Sequence, residues 1–331
     1  MAPDADAGKS GSQRSDPFAP LTSQLLPAGD GHDIYVESVG RAGGVPAIYL
    51  HGGPGSGCQP DHRRLFDPER FHAILFDQRG AGRSRPKGLR EHNTLPHLIA
   101  DMEMIRQQFG FSRWMIVGGS WGATLALAYA QAHPHRVSGM VLRATFLGTR
   151  QELEGAFLDA LPRFYPDLFD DFLGLLPPEQ RSESIDAYWG RILDPDPVVH
   201  GPAAQAWHDA ERILSEHAPG RVRLDLASAN PSRALPSSPF MEAHYFRNDC
   251  FMKPGQLLAE AARLNGIPGV IVQGRYDLLC PPATSHALNA VWPDSEVRVV
   301  ERAGHSLYDP GVRDAVMKAI ADLASRISRK D

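Results

Sequence analysis

Four short apolar runs, at residues 47–50, 73–76, 114–117 and 140–142, are each followed by glycine, proline or polar residues, and two more, at 269–273 and 296–300, resume after a long gap. Runs of this length that do not alternate predict strands buried on both faces of a parallel sheet. The segments around them carry helical periodicity. Leu95, Leu98, Ile99, Met102 and Ile105 recur at three- and four-residue spacing over 95–109, with Thr94 as N-cap and Pro96 in the first turn. A second helix follows Ser120, a third spans 283–291, and Val312, Val316, Ala319, Ile320, Leu323 and Ile327 mark a last one. Strands alternating with helices predict an α/β fold with a mostly parallel sheet and right-handed crossovers.

The gap has a different texture. Residues 147–254 are rich in proline and aromatic side chains and contain no convincing strand; short helices are expected over 151–165, 167–176 and 203–217. The expected organisation is a core built from residues 31–146 and 255–331, a helical cap over 147–254, and an unstructured tail over 1–30, whose start is acidic and rich in Ser, Gly and Pro.

Composition removes several functions. A net charge of -5 over 331 residues leaves no basic footprint for nucleic acid or anionic lipid. Residues 114–133 lack Asp, Glu, Lys and Arg, but the glycines at 118, 119 and 122 suit a sharp turn better than a lipid-facing helix, so no membrane span is expected. Cys58, Cys250 and Cys280 are odd in number and widely spaced, which gives neither a disulfide framework nor a metal-binding motif. With no apolar secretory segment visible, a cytoplasmic location is expected.

The chemistry concentrates at strand ends. Gly118-Gly119-Ser120-Trp121-Gly122 matches G-x-S-x-G between a predicted strand and a predicted helix, the setting in which a strained turn lifts a serine hydroxyl above the sheet edge. A serine hydroxyl is a weak nucleophile at neutral pH and needs a base oriented by an acid. In this topology the partners follow in the order acid, then histidine, beyond later strands. Asp277 follows the strand at 269–273, with Asp294 and Asp309 as weaker alternatives, and His305 follows the strand at 296–300. The loop His51-Gly52-Gly53-Pro54-Gly55 lacks the lysine of a phosphate loop. It reads instead as an oxyanion loop, with the Gly53 N–H paired to the N–H of Trp121.

Taken together, His51 to Gly55, Asp77-Gln78-Arg79-Gly80-Ala81-Gly82-Arg83-Ser84, Gly118 to Gly122, Gly274 to Asp277 and Gly304-His305 resemble the proline iminopeptidase (prolyl aminopeptidase) family, serine peptidases of the α/β-hydrolase fold. Ala81 departs from the cysteine common there. The resemblance implies release of N-terminal proline from small peptides through a prolyl-enzyme, with Ser120, Asp277 and His305 catalytic, Gly53 and Trp121 forming the oxyanion hole, and no metal or other cofactor. It further implies that two cap carboxylates hold the substrate's free amine. Glu211, in Ala206-Trp207-His208-Asp209-Ala210-Glu211, resembles W-x-x-W-E with Ala210 in place of the second tryptophan; Glu242 resembles the first residue of E-x-H-Y-F. Phe146 and Cys280 resemble residues lining the proline pocket. The alternatives are an esterase or amidase with a diverged cap and a non-catalytic, ligand-binding hydrolase fold.

Overall fold

The computed structural model describes residues 16–224, 235 and 237–327. Eight strands form one sheet: β1 (Thr22–Gly29), β2 (His32–Gly40), β3 (Val45–Leu50), β4 (Phe71–Phe76), β5 (Trp114–Ser120), β6 (Val137–Thr145), β7 (Gly269–Gly274) and β8 (Ser295–Val300). Their spatial order is β1-β2-β4-β3-β5-β6-β7-β8, parallel from β4 through β8, with β1–β2 and β2–β4 antiparallel. All six strands expected from the apolar runs are present.

The first two strands correct the expectation of a tail reaching residue 30. Residues 1–15 of that tail lie outside the described residues, but 22–29 pair with 32–38 as a hairpin at the sheet edge. Asp30 and Gly31, both at positive φ, make its two-residue turn, the conformation that matches the twist of paired strands.

Helices follow as their patterns require. In α1 (Leu95–Gln108), Leu95, Leu98, Met102 and Ile105 are buried. Thr94 does occupy the N-cap position, but it does not cap: its hydroxyl bonds His97 Nδ1 at 2.7 Å rather than a backbone N–H. The next helix, α2 (Trp121–Ala132), is buried on nearly every side, which explains the charge-free stretch at 114–133 without lipid. Among the described residues no helix is long and apolar enough to cross a membrane.

Between β6 and β7 the described elements are helical. Helix α3 (Arg150–Glu154) continues through a π-helical stretch (Gly155–Ala160) into α4 (Leu161–Phe164), followed by α5 (Pro166–Gly174), α6 (Ser184–Ile192), α7 (Pro197–Ser215) and α8 (Ser238–Arg247). Helix α7 starts six residues before the expected 203, because Asp196 accepts the Val198 N–H and Pro197 suits the first helical position. An aromatic stack holds these helices together: Phe157 lies on Trp207 at 4.2 Å between centroids and Phe172 on Tyr188 at 3.9 Å. The chain then returns through α9 (Gln256–Ala259), α10 (Pro282–Val291) and α11 (Val312–Ile327). Val316, Ala319, Ile320 and Leu323 of α11 pack on the sheet face opposite α2, against Val141, Val270 and Val272.

Candidate active site

Ser120 sits at the junction of β5 and α2 with φ 57° and ψ -126°, outside the regions comfortable for a residue with a side chain. Such strain persists where surrounding packing over-determines it. Here the packing is visible: a Cβ at Gly122 would collide with the Leu50 carbonyl, so only glycine lets the turn close against β3. The turn places the N-terminal end of α2, with its unpaired N–H groups, beside the serine.

Asp277 and His305 lie beyond β7 and β8, as their positions in the sequence require. The His305 Nδ1–H donates to Asp277 Oδ2 at 2.9 Å and stands 3.1 Å from Oδ1. A carboxylate beside it can only accept, so the proton is on Nδ1 and Nε2 is left as the basic nitrogen. Asp277 is held in turn by the N–H groups of Leu279 and Cys280 at 3.0 and 2.8 Å. The alternatives are engaged elsewhere: Asp294 accepts the Gly266 N–H and Asp309 the Gly304 N–H. Ser120 and His305 line one cleft of about 440 Å³, together with His51, Gly53 and, from α7, His208, Glu211, Arg212 and Ser215.

The Asp77–Ser84 segment supports the site from behind. The Gln78 N–H donates to His51 Nε2 and its side-chain amide to the His51 carbonyl, both at 3.0 Å. Burial lowers the His51 pKa, keeping the ring neutral and able to accept. Gln78 Oε1 receives the Trp121 indole N–H at 2.8 Å. One side chain thereby ties the Gly53 loop to the residue after the serine. Arg79, locked bidentate onto Asp101 at 2.8 and 2.9 Å, fixes the segment to α1.

A smaller pocket opens beside Ser120, lined by Phe146, Phe157, Phe246, Leu279 and Cys280, with Glu152 and Glu211 at its edge. Phe146 and Cys280 were expected there; Phe157, Phe246 and Glu152 were not. Burial and the nearby Asp277 charge push the Cys280 thiol far up, so it is an uncharged wall and not a nucleophile. Glu152 is occupied by the Leu147 and Thr149 N–H groups at the start of α3.

The two cap glutamates meet. Glu242 is wholly buried; its Oε2 accepts the Trp207 indole N–H at 2.7 Å, while Oε1 has no hydrogen-bond partner. Ala210, where a second tryptophan is common, is buried in the helix core, and Trp207 alone supplies the indole donor. Burial, then the negative charge of Glu242, raises the Glu211 pKa well above the ordinary carboxylate value; burial raises that of Glu242 from 4.5 to about 7. A group whose pKa is raised on folding stabilises the fold below its unfolded value, and that contribution disappears as pH rises through the folded one. Glu242 therefore costs the protein stability progressively as pH rises from about 4.5 through about 7. Glu242→Gln, which removes the charge, is expected to raise the melting temperature by several degrees at pH 8 and by little at pH 5, as thermal unfolding at the two pH values will show.

Among the described residues, one group has metal-ligand spacing: Asp30, His92 and His97, within 4.8 Å of one another on the surface and not lining the cleft. The Arg79 guanidinium already stands 3.9 Å from the Asp30 carboxylate.

A strained serine at a strand-to-helix turn after β5, with an acid beyond β7 and a histidine beyond β8, defines an α/β hydrolase, and the family model for that fold matches residues 46–312. The chain is 41% identical over 305 residues to a protein named proline iminopeptidase from Xylella fastidiosa (strain 9a5c), covering 91% of this chain and 96% of that one. It is 38% identical over 298 residues to one of the same name from Arabidopsis thaliana, covering 89% and 78%. It belongs to the proline iminopeptidase family. A solved structure of a Mycobacterium smegmatis proline iminopeptidase, at 16% identity, shares the fold with a TM-score of 0.61 over 94% of this chain and all of that one.

Proposed function

We propose that this chain is a serine aminopeptidase that releases proline from the N-terminus of small peptides. The observation that carries this reading is the Glu211–Glu242 pair: Glu211 lines the serine cleft, and Glu242, wholly buried beside it, keeps Oε1 without a hydrogen-bond partner. A buried carboxylate without a partner is costly, and a substrate ammonium relieves it. The proline ring fits the apolar pocket of Phe146, Phe157, Phe246 and Cys280 next to Ser120.

In the reaction, Ser120 Oγ attacks the prolyl carbonyl and its proton passes to His305 Nε2. The tetrahedral oxyanion is received by the Gly53 and Trp121 N–H groups. His305 then gives the proton to the departing amine, the C–N bond breaks, and a prolyl ester remains on Ser120. Water, deprotonated by His305, attacks that ester; His305 then returns the proton to Ser120 Oγ as the ester C–O bond breaks, which frees proline and restores the serine. Asp277 keeps the imidazole in the productive tautomer and stabilises the imidazolium. A cytoplasmic location is supported by the three cysteines, all free and buried.

The test is a substrate panel of proline and alanine arylamides beside a short acyl ester. The expected order of kcat/KM places the proline arylamide first by at least tenfold over alanine; a dominant ester activity would instead favour an esterase with a diverged cap.

A further inference from the structure

The helix that carries Glu211 also holds the catalytic histidine. Glu211 lies one turn before Ser215, the last residue of α7. Carbonyls in a last helical turn have no partner within the helix and carry the negative end of its dipole. The Ser215 carbonyl is used twice: the N–H groups of His305 and Ser306 both donate to it, at 3.1 and 3.0 Å. These bonds join the described cap-side helix to the backbone of the catalytic residue itself.

Asp309 closes the same junction from the other side. Its Oδ2 accepts the Gly304 N–H at 2.6 Å, and its Oδ1 accepts the N–H of His217, two residues beyond α7, at 3.5 Å. A single carboxylate thus bridges the residue before His305 and the segment after the Glu211 helix. The approach is tight at Gly304, whose Cβ would stand 3.1 Å from Asp309 Oδ2, 3.2 Å from His217 N and 3.3 Å from Ser215 O. The acid loop is tied in as well: the Tyr276 N–H donates to the Ala303 carbonyl at 2.8 Å, and the Tyr276 ring stacks on His217 at 5.2 Å.

We infer that Asp309 and the end of α7 form a clamp that fixes His305 relative to the helix bearing Glu211, so that Asp309 is a positioning residue for the catalytic base. It touches neither the substrate nor the reacting atoms; it acts through the backbone at 304–306. The inference rests on the serine-hydrolase reading of the site. A misplacement of about 1 Å in a catalytic group is enough to cost on the order of 10²-fold in rate. Removing the carboxylate also leaves the Gly304 N–H without its acceptor.

The experiment is the rate of Ser120 labelling by a fluorophosphonate, measured per folded molecule in the unaltered protein, Asp309→Ala and Asp309→Asn, beside their melting temperatures. The phosphonate carries neither an amine nor a proline ring, so it reports the triad alone. The prolyl preference fails separately, if the unaltered protein labels but leaves proline arylamides intact. The expected result is labelling slowed at least tenfold in Asp309→Ala, and less in Asp309→Asn, whose amide oxygen still accepts one N–H. Labelling within twofold of the unaltered rate in both Asp309 variants, or slowed only in proportion to the unfolded fraction, would overturn the clamp.

Discussion

Ser120→Ala is expected to lower kcat for a proline arylamide by about 10⁵-fold or more while leaving the melting temperature within a few degrees of the unaltered protein. Two features of the site give this size. The thiol beside Ser120 does not replace it: Cys280 is buried and held protonated. The remaining oxyanion donors and the base act on a water that is neither as well placed nor as nucleophilic. The residues of such a triad act as a unit, so His305→Ala is expected to cost a similar factor and the double variant little more. The stability is expected to hold because the strain at Ser120 lies in its backbone, which alanine leaves in place, and because the Leu50–Gly122 approach does not involve the hydroxyl. A variant retaining more than a hundredth of the original rate would remove Ser120 from the mechanism.

The second large effect falls on the amine. Glu242→Ala is expected to lower kcat/KM for the proline arylamide by about 10³-fold. A carboxylate about 4 Å from an ammonium gains on the order of 4 kcal/mol at an effective dielectric of 20, and a loss of that size is roughly three powers of ten. The change also strands the Trp207 indole N–H, which now donates to Glu242 Oε2, and so disturbs the stack of Trp207 on Phe157 at the pocket wall. Glu242→Gln separates these contributions, since the amide oxygen can still accept from Trp207. Its loss should therefore be smaller and should lie mainly in the charge-dependent part. If both variants keep their kcat/KM within threefold, the buried pair does not hold the substrate.

The positions of the candidate triad were legible because its signals are local. Ser120 lies in a five-residue motif between recognisable elements, and Asp277 and His305 follow apolar runs that end where a parallel sheet must place loops. The hairpin of β1 and β2 was missed for a physical reason: β1 is an edge strand with Thr22, Ser23, Gln24 and Leu25 all exposed, so no buried run announces it. Asp30-Gly31 was the available signal, since that pair favours the positive φ of a tight hairpin turn. The cap helix α6 was missed although Ile185, Tyr188, Trp189 and Ile192 form an apolar stripe at helical spacing that could have flagged it; α8 was not read because its buried face mixes aromatics with Pro239 and Glu242. Phe157 and Phe246 escaped for the same reason; Phe246 stands four residues after Glu242, on the same helical face, and that spacing could have flagged it. The tie between α7 and His305 could not have been read at all, because it is made by backbone groups some 90 positions apart with no side-chain pattern to mark them.

The central claim is that recognition of a free, charged N-terminus by buried carboxylates directs a serine nucleophile to the first peptide bond. The direct measurement is the ratio of kcat/KM for a proline arylamide to that for its N-acetyl derivative. Blocking the amine removes the positive charge and leaves Glu211 and Glu242 unpaired, and sites built around such polar pairing reject the analogue by about 10⁴-fold. A ratio near 10⁴ in the unaltered protein, reduced in Glu242→Gln by the same factor as its kcat/KM for the free-amine substrate, is the predicted result; a ratio near one in the unaltered protein would contradict the account.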